Sequence, residues 1–361
     1  MTVFLDPGAT EAVQRATGCL RGWRREHQGL KVAVVYGPVS AEDQLYHSKC
    51  PVEQRSSTAL AESLAAVGVW FKVLDPTEPG FVQELAGYDV ALSNLHGPYG
   101  EDGRLQGLLD YLRVPYCGSG VAASAVTADK ILCKRVMENL GILTPSWRVW
   151  SGGPAPWRGG AVMVKPPFGG SSVGMTLVRD QEKFPGALTD ASSSENPQVL
   201  VEEYVPGTAM TVGLLELPAG EVLVFPPLAT EVREAEYYDA ETKLDADSKG
   251  TVTVSMADLE PAVLATVTGH TKALWEGLGL RGQARVDFMV TSTGEAYALE
   301  VNTTPGMSWG SNFVVGAGLC GLSHSDVVLA MLHEALTRPP YDVPLPAPVF
   351  ARSTSVREAA A

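Results

Sequence analysis

An α/β protein with an N-terminal parallel sheet and a more α+β central part is the fold class this sequence predicts. Three observations carry that expectation. Apolar strand-like runs alternate with helical ones over the first 125 residues, the pattern of crossover-linked parallel strands. A glycine-serine loop, Gly169 to Gly174, lies between two strand-like runs. Near the C-terminal third, the run Gly282 to Val290 is followed by Ala298 to Met307, bringing Asp287, Glu300 and Asn302 to the ends of two adjacent strands.

The elements follow in order. Residues 10–27 form an amphipathic helix with Val13, Leu20 and Trp23 on one face. Lys31 to Tyr36 reads as a buried strand, Ala59 to Val67 as a helix, and Trp70 to Leu74 and Asp89 to Asn94 as strands. A helix around Ala128 to Asn139 precedes strands at Ala161 to Lys165, Met175 to Val178 and Val199 to Glu203. Then come a strand at Val222 to Phe225, a helix near Pro261 to Leu278, the strand pair, and a helix near Ser323 to Thr337. These elements divide the chain into an extension (1–29), an N-terminal α/β substrate domain (30–125), a central subdomain (126–215), a catalytic subdomain (216–337) and a proline-rich tail (338–361).

The chain has 361 residues, 45% apolar and 19% charged, which fits a globular enzyme of two or three modules. A net charge of −14 argues against nucleic-acid binding through a basic surface. No run of eighteen apolar residues suggests a membrane span, and the first residues do not resemble a secretion signal. Five cysteines, at 19, 50, 117, 133 and 320, lack metal-binding spacing and fit reduced thiols in a cytoplasm.

Three hard oxygen donors on neighbouring strands suit Mg²⁺, which usually shares its shell with nucleotide phosphates. Glycines in the 169–174 loop let backbone amides approach phosphate oxygens, and its serines add donors. Lys130, Lys165, Lys243 and Arg285 are candidate phosphate cations; Lys165 closes an apolar strand, where an ammonium needs a partner. Other matches are weaker. Gly170 to Gly174 fits G-x-S-x-G with Ser172 as nucleophile, but a strand follows where that elbow needs a helix. Gly118 to Ala123 fits G-x-G-x-x-A, but late in its domain. The Walker pattern is absent, and His333-Glu334 lacks the second histidine of a zincin.

With these residues in view, the chain resembles the D-alanine–D-alanine ligase family of ATP-grasp enzymes. The likeness spans residues 30–335. It rests on Ser40-Ala41-Glu42, Leu95 to Gly107, Pro115 to Gly120, Asp129-Lys130, Val164-Lys165-Pro166, Gly170 to Met175, Arg285-Val286-Asp287 and Glu300 to Met307. The resemblance implies an ATP-grasp fold and an ATP- and Mg²⁺-dependent ligase that forms an amide bond through an acyl phosphate. Two Mg²⁺ ions, with Mn²⁺ as a substitute, would sit on Asp287, Glu300 and Asn302. Lys130, Lys165 and Lys243 would contact phosphates, with Ser171 and Ser172 in the loop above them. Glu202, Glu203 and Val205 would line the adenine pocket. Arg285 and the Gly306 N–H would stabilise the oxyanion. Glu42 and His96 would hold the first amino acid, and Ser311 the second.

The chain departs from the family pattern at several points. Leu244 stands where a lid tyrosine is usual, Ala209 where a ribose-binding glutamate is usual, and Asn312 where an apolar residue borders the second-substrate pocket. Trp309 takes a place normally small or polar, and Tyr46 to Arg55 is longer than the matching turn. These departures keep two alternatives in view: a specialised ligase of secondary metabolism using non-standard amino acids, and an ATP-binding protein without catalysis. The expected setting is a cytoplasmic homodimer acting on small amino-acid substrates, with no nucleic-acid or membrane partner.

Overall fold

The structure, a computed structural model, describes residues 7–154, 157–169, 174–193, 196–232 and 252–338. Helix α1 (Pro7–Glu26) comes first, followed by β1 (Lys31–Val35), α2 (Ala41–Lys49), a short 3₁₀ turn (Val52–Gln54), α3 (Ser56–Ala66), β2 (Trp70–Leu74), α4 (Phe81–Leu85), β3 (Val90–Ser93) and α5 (Arg104–Leu112). β1 is paired in parallel with β2 on one side and β3 on the other. Both faces of this small sheet are covered, as parallel sheets require. Val32, Val34, Val90 and Leu92 pack with α1 and α3, while Ala33, Val35 and Ala91 pack with α5.

Helices α6 (Val121–Ala128) and α7 (Lys130–Asn139) lead into the central part. Asp129 caps α7, its carboxylate accepting the N–H groups of Ile131 and Leu132. Here β4 (Trp147–Trp150), β5 (Val162–Lys165), β6 (Thr176–Val178), α8 (Phe184–Ala191) and β7 (Val199–Glu203) follow. The four strands form an antiparallel sheet in the order β4-β7-β5-β6, one face packed on α8 through Val162, Val164, Phe184 and Leu188.

The third sheet contains β8 (Thr208–Glu216), β9 (Val222–Val224), β10 (Leu228–Val232), β11 (Val252–Met256), β12 (Gln283–Val290) and β13 (Ala296–Asn302). Its order is β11-β10-β8-β12-β13, with β9 also paired to β8. Helices α9 (Pro261–Leu278), α10 (Asn312–Leu319) and α11 (His324–Thr337) complete the described chain.

The expected parallel N-terminal sheet is present, and the central α+β part is built on an antiparallel sheet. The cut expected between 215 and 216, however, divides the third sheet, because β8 pairs with β9, β10 and β12. β8 itself went unread: its Thr208–Glu216 run is almost wholly buried and lacks the polar alternation that marks a half-exposed strand. Asp287 also lies inside β12 instead of at its end, while Asn302 closes β13.

Helix α1 belongs to the folded unit. Val13, Leu20 and Trp23 are buried among residues of α3 and α11. Arg24 donates to the Val67 carbonyl at 2.8 Å and to that of His27 at 2.7 Å, and Arg15 reaches Glu221 at 3.3 Å. Truncating the fully buried Leu20 to alanine is expected to cost about 2–5 kcal/mol in chemical denaturation. An unchanged midpoint would detach α1 from the cooperative unit.

Candidate functional site

The β12–β13 pair builds one polar face. Side chains alternate along a strand, so Arg285 and Asp287 share a face, and their partners across the ladder are Asn302 and Glu300. A bulge follows Asp287 and restores the register for the apolar residues beyond it. Behind this face, Val286, Phe288, Ala298 and Val301 are buried against α9.

Arg285 grips Asp287 with two bonds of 2.8 Å, and Thr211 on β8 donates to the same carboxylate at 2.6 Å. Burial disfavours the guanidinium charge, but Asp287, Glu300 and Glu101 together raise its affinity for the proton above the ordinary arginine value. Asn302 Oδ1 accepts the Thr304 N–H at 2.8 Å. Among the described residues, no group of three His, Cys, Asp or Glu side chains could hold a metal ion. The third donor here is the amide oxygen of Asn302. Two carboxylates and an amide, all hard oxygens on one face, fit Mg²⁺.

A second cluster lies inside the four-stranded sheet. Glu202 forms ion pairs with Lys165 through one oxygen and with Lys134 through the other, all three side chains being almost fully buried. Burial opposes the Glu202 charge, yet the two ammoniums hold its carboxyl below the usual carboxylate value. Burial and the nearby Lys165 pull Lys134 below the usual lysine value, against the attraction of Glu202. Two ammoniums against one carboxylate leave one positive charge in excess, which suits an anion beside them. Lys134 also donates to Thr144 Oγ1 at 2.6 Å, and Thr144 to the Ala298 carbonyl at 2.8 Å, tying the cluster to β13. Lys130 donates to the Gly169 carbonyl at the root of the glycine-serine loop.

The N-terminal part contributes a third group. Ser40 caps α2, and its hydroxyl donates to the His96 carbonyl at 2.7 Å. Asp43 accepts the His96 N–H at 3.1 Å, with the imidazole Nδ1 at 3.5 Å. Burial opposes a charge on His96, but Asp43 and Glu101 raise its pKa above the usual histidine value. Glu101 receives the Gly97 N–H at 2.6 Å, and burial pushes its carboxyl up to about 7.

The loop after β13 is pinned from the N-terminal part as well. Asn94 donates to the Pro305 carbonyl at 3.1 Å, and Ser56 Oγ accepts the Met307 N–H at 3.1 Å. Ser311 donates to the Gly306 carbonyl at 2.6 Å and stands at the N-terminus of α10, followed by Asn312. A helix N-terminus favours a carboxylate.

The structure thus joins Arg285, Asp287, Glu300 and Asn302 on one face, with Gly306, Ser311 and Asn312 in the loop that continues from it. Glu202 pairs with a lysine through each carboxylate oxygen. Glu203 points to the face of β7 opposite Glu202 and is itself exposed at the strand end, and Val205 follows the strand. Ser171, Ser172, Lys243 and Leu244 lie outside the described residues, as does the Glu42 side chain, although its backbone is in α2. Three residues were missed: Lys134, Asp43 and Glu101. Lys134 lies four residues after Lys130, one helical turn on, and Asp43 is the capping-box partner of Ser40; both signals were legible. Nothing in the sequence marked Glu101 as buried.

Two family models match the chain: "D-ala D-ala ligase N-terminus" over residues 72–119 and "D-ala D-ala ligase C-terminus" over 157–333. A D-alanine–D-alanine ligase from a Synechococcus species is 34% identical over 86% of this chain and 94% of its own. One from Ectopseudomonas mendocina is 36% identical over 85% and 95%. The crystal structure of a D-alanine–D-alanine ligase from Bacillus anthracis superposes with a TM-score of 0.71 at 28% identity, covering 85% of this chain and 98% of that one.

Two outcomes follow from the buried charges. Glu202→Gln strands two buried ammoniums and is expected to lower stability by about 3–5 kcal/mol in urea titration; a loss below 1 kcal/mol would mean the cluster is solvated. The raised Glu101 carboxyl favours folding when protonated. Its contribution is complete below its ordinary 4.5 and lost as pH climbs through about 7. Relative to Glu101→Gln, the wild-type protein should therefore lose stability across that window, and a pH-independent difference would contradict the burial of a free carboxyl.

Proposed function

The chain belongs to the D-alanine–D-alanine ligase family, ATP-dependent enzymes of ATP-grasp fold that form an amide bond, and we propose that it joins two amino acids through an acyl phosphate, with D-alanine as the reference substrate at both positions. The observation that carries this reading is the single polar face of Arg285, Asp287, Glu300 and Asn302, continuous with the Gly306–Ser311 loop.

Phosphoryl transfer asks a protein for positioning and charge neutralisation more than for covalent help. In this proposal Lys165, held by Glu202, and Lys130, held at the loop root, bind the phosphates. Lys243 and the loop of Ser171 and Ser172 close above them and keep water from the acyl phosphate. Glu202, Glu203 and Val205 contribute to the adenine end. Asp287, Glu300 and Asn302 hold Mg²⁺, two ions in this reading and replaceable by Mn²⁺; when bound, the metal neutralises phosphate charge. Glu42 anchors the ammonium of the first amino acid, and the imidazole of His96 faces its carboxylate. The attacking amine belongs to the second amino acid, whose carboxylate meets Ser311 and the α10 N-terminus. Arg285 and the Gly306 N–H receive the negative charge of the tetrahedral oxyanion.

A specialised acceptor is the second reading, favoured by Asn312 and Trp309 around the Ser311 loop and by Leu244. The proposed setting is a cytoplasmic homodimer. The absence of disulfides among the five cysteines of the described residues is consistent with a reducing compartment.

Phosphate release from ATP and Mg²⁺, measured across paired D- and L-amino acids with mass spectrometry of each product, tests the proposal. Turnover is expected with at least one pair, and silence with every pair would refute it. Arg285→Ala should lower that turnover about 10²- to 10³-fold, the usual effect of removing one oxyanion donor, with an unchanged circular dichroism spectrum.

A further inference from the structure

A recess of about 230 Å³ opens between the 3₁₀ turn and the loop before α10, lined by Glu53, Gln54, Ser308, Trp309 and Gly310. Its two walls are two of the places where the chain departs from the family pattern: the long Tyr46 to Arg55 stretch and Trp309. They are far apart in sequence and face each other in space. The wall on the loop side is continuous with Ser311, whose N–H bonds the Ser308 carbonyl at 3.0 Å.

Trp309 is held in a fixed orientation. Its indole N–H donates to Glu62 on α3 at 3.0 Å. It also packs on the buried His324 ring at 4.7 Å between centroids. His324 is fastened in turn by Ser63 and by the Met307 carbonyl, each at 2.8 Å. Even so, the tryptophan remains 50% exposed. An oriented, half-exposed indole costs apolar exposure and contributes little to the core, so packing alone does not account for it.

We propose that this recess is a side-chain subsite for the second amino acid, and that it takes an acceptor bearing a cationic side chain. An ammonium or guanidinium is attracted to an indole face, and the Glu53 carboxylate lies on the opposite wall as counter-charge. Ser311 and the α10 N-terminus hold the acceptor carboxylate in the ligase reading, which places its side chain beside Ser308 to Gly310. The inference rests on that reading and adds to it the class of the second substrate.

The test compares acceptor KM values for D- and L-lysine, ornithine and arginine against alanine, with D-alanine as the first substrate and phosphate release as the readout. Wild type should show a KM for a cationic acceptor about five- to tenfold below that for alanine of the same hand. Trp309→Ser and Glu53→Gln should each erode that preference through KM, with kcat nearly unchanged. Trp309→Phe, which keeps a ring face and loses only the bond to Glu62, should retain most of it and guards against misfolding of the serine variant. Equal KM values for alanine and the cationic acceptors in wild type, or a preference untouched by both variants, would overturn the subsite while leaving the ligase reading intact. No phosphate release with any pair would overturn both.

Discussion

The register of β12 is the constraint on which the rest of the molecule depends. This strand pairs with β8 on one side and β13 on the other over most of its length. Side-chain direction alternates with a period of two, so a slip by one residue would exchange its faces. Arg285 and Asp287 would then enter the core, and Val286 and Phe288 would meet solvent. The apolar face against α9 and the polar face above it specify each other, and β8 locks the choice by pairing along β12 and supplying the Thr211 hydroxyl.

That register also explains why distant residues work together. The polar face is reached from three directions: from β13 itself, from the Lys134–Thr144–Ala298 chain, and from the N-terminal part through Asn94 and Ser56. None of these contacts is strong alone. A net hydrogen bond contributes on the order of 1 kcal/mol, and their value lies in geometry. They fix the polar face, the lysine cluster and the Gly306–Ser311 loop relative to one another. Effective catalysis of a two-substrate reaction depends mainly on such placement.

Much of the fold was legible because its signals are local. Alternating apolar runs disclosed β1, β2 and β3, and the spacing of Val13, Leu20 and Trp23 disclosed α1. Asp287, Glu300 and Asn302 were legible as one polar cluster because their strands are adjacent runs in the sequence. What escaped was set by long-range packing. β8 is buried along nearly its whole length and carries no alternation to read. Lys134 looks like an ordinary helix residue until β7 places Glu202 against it. Glu202 was legible as a carboxylate at the end of a buried strand, but its pairing with two lysines is set by tertiary packing. Glu101 sits in a run of glycines and charged residues, and its burial comes from tertiary enclosure alone.

Helix α1 has a consequence for how the molecule is made. Its apolar face is buried against α3 and α11, and α11 lies some 300 residues later in the chain. A ribosome therefore releases α1 long before the helix that completes its packing exists. Until then Leu20 and Trp23 have only part of their partners, and the contact they await has the largest sequence separation in the fold. Contacts of that kind form late, because loop closure must precede them. Among the described residues, the last helix is thus the one that closes the first.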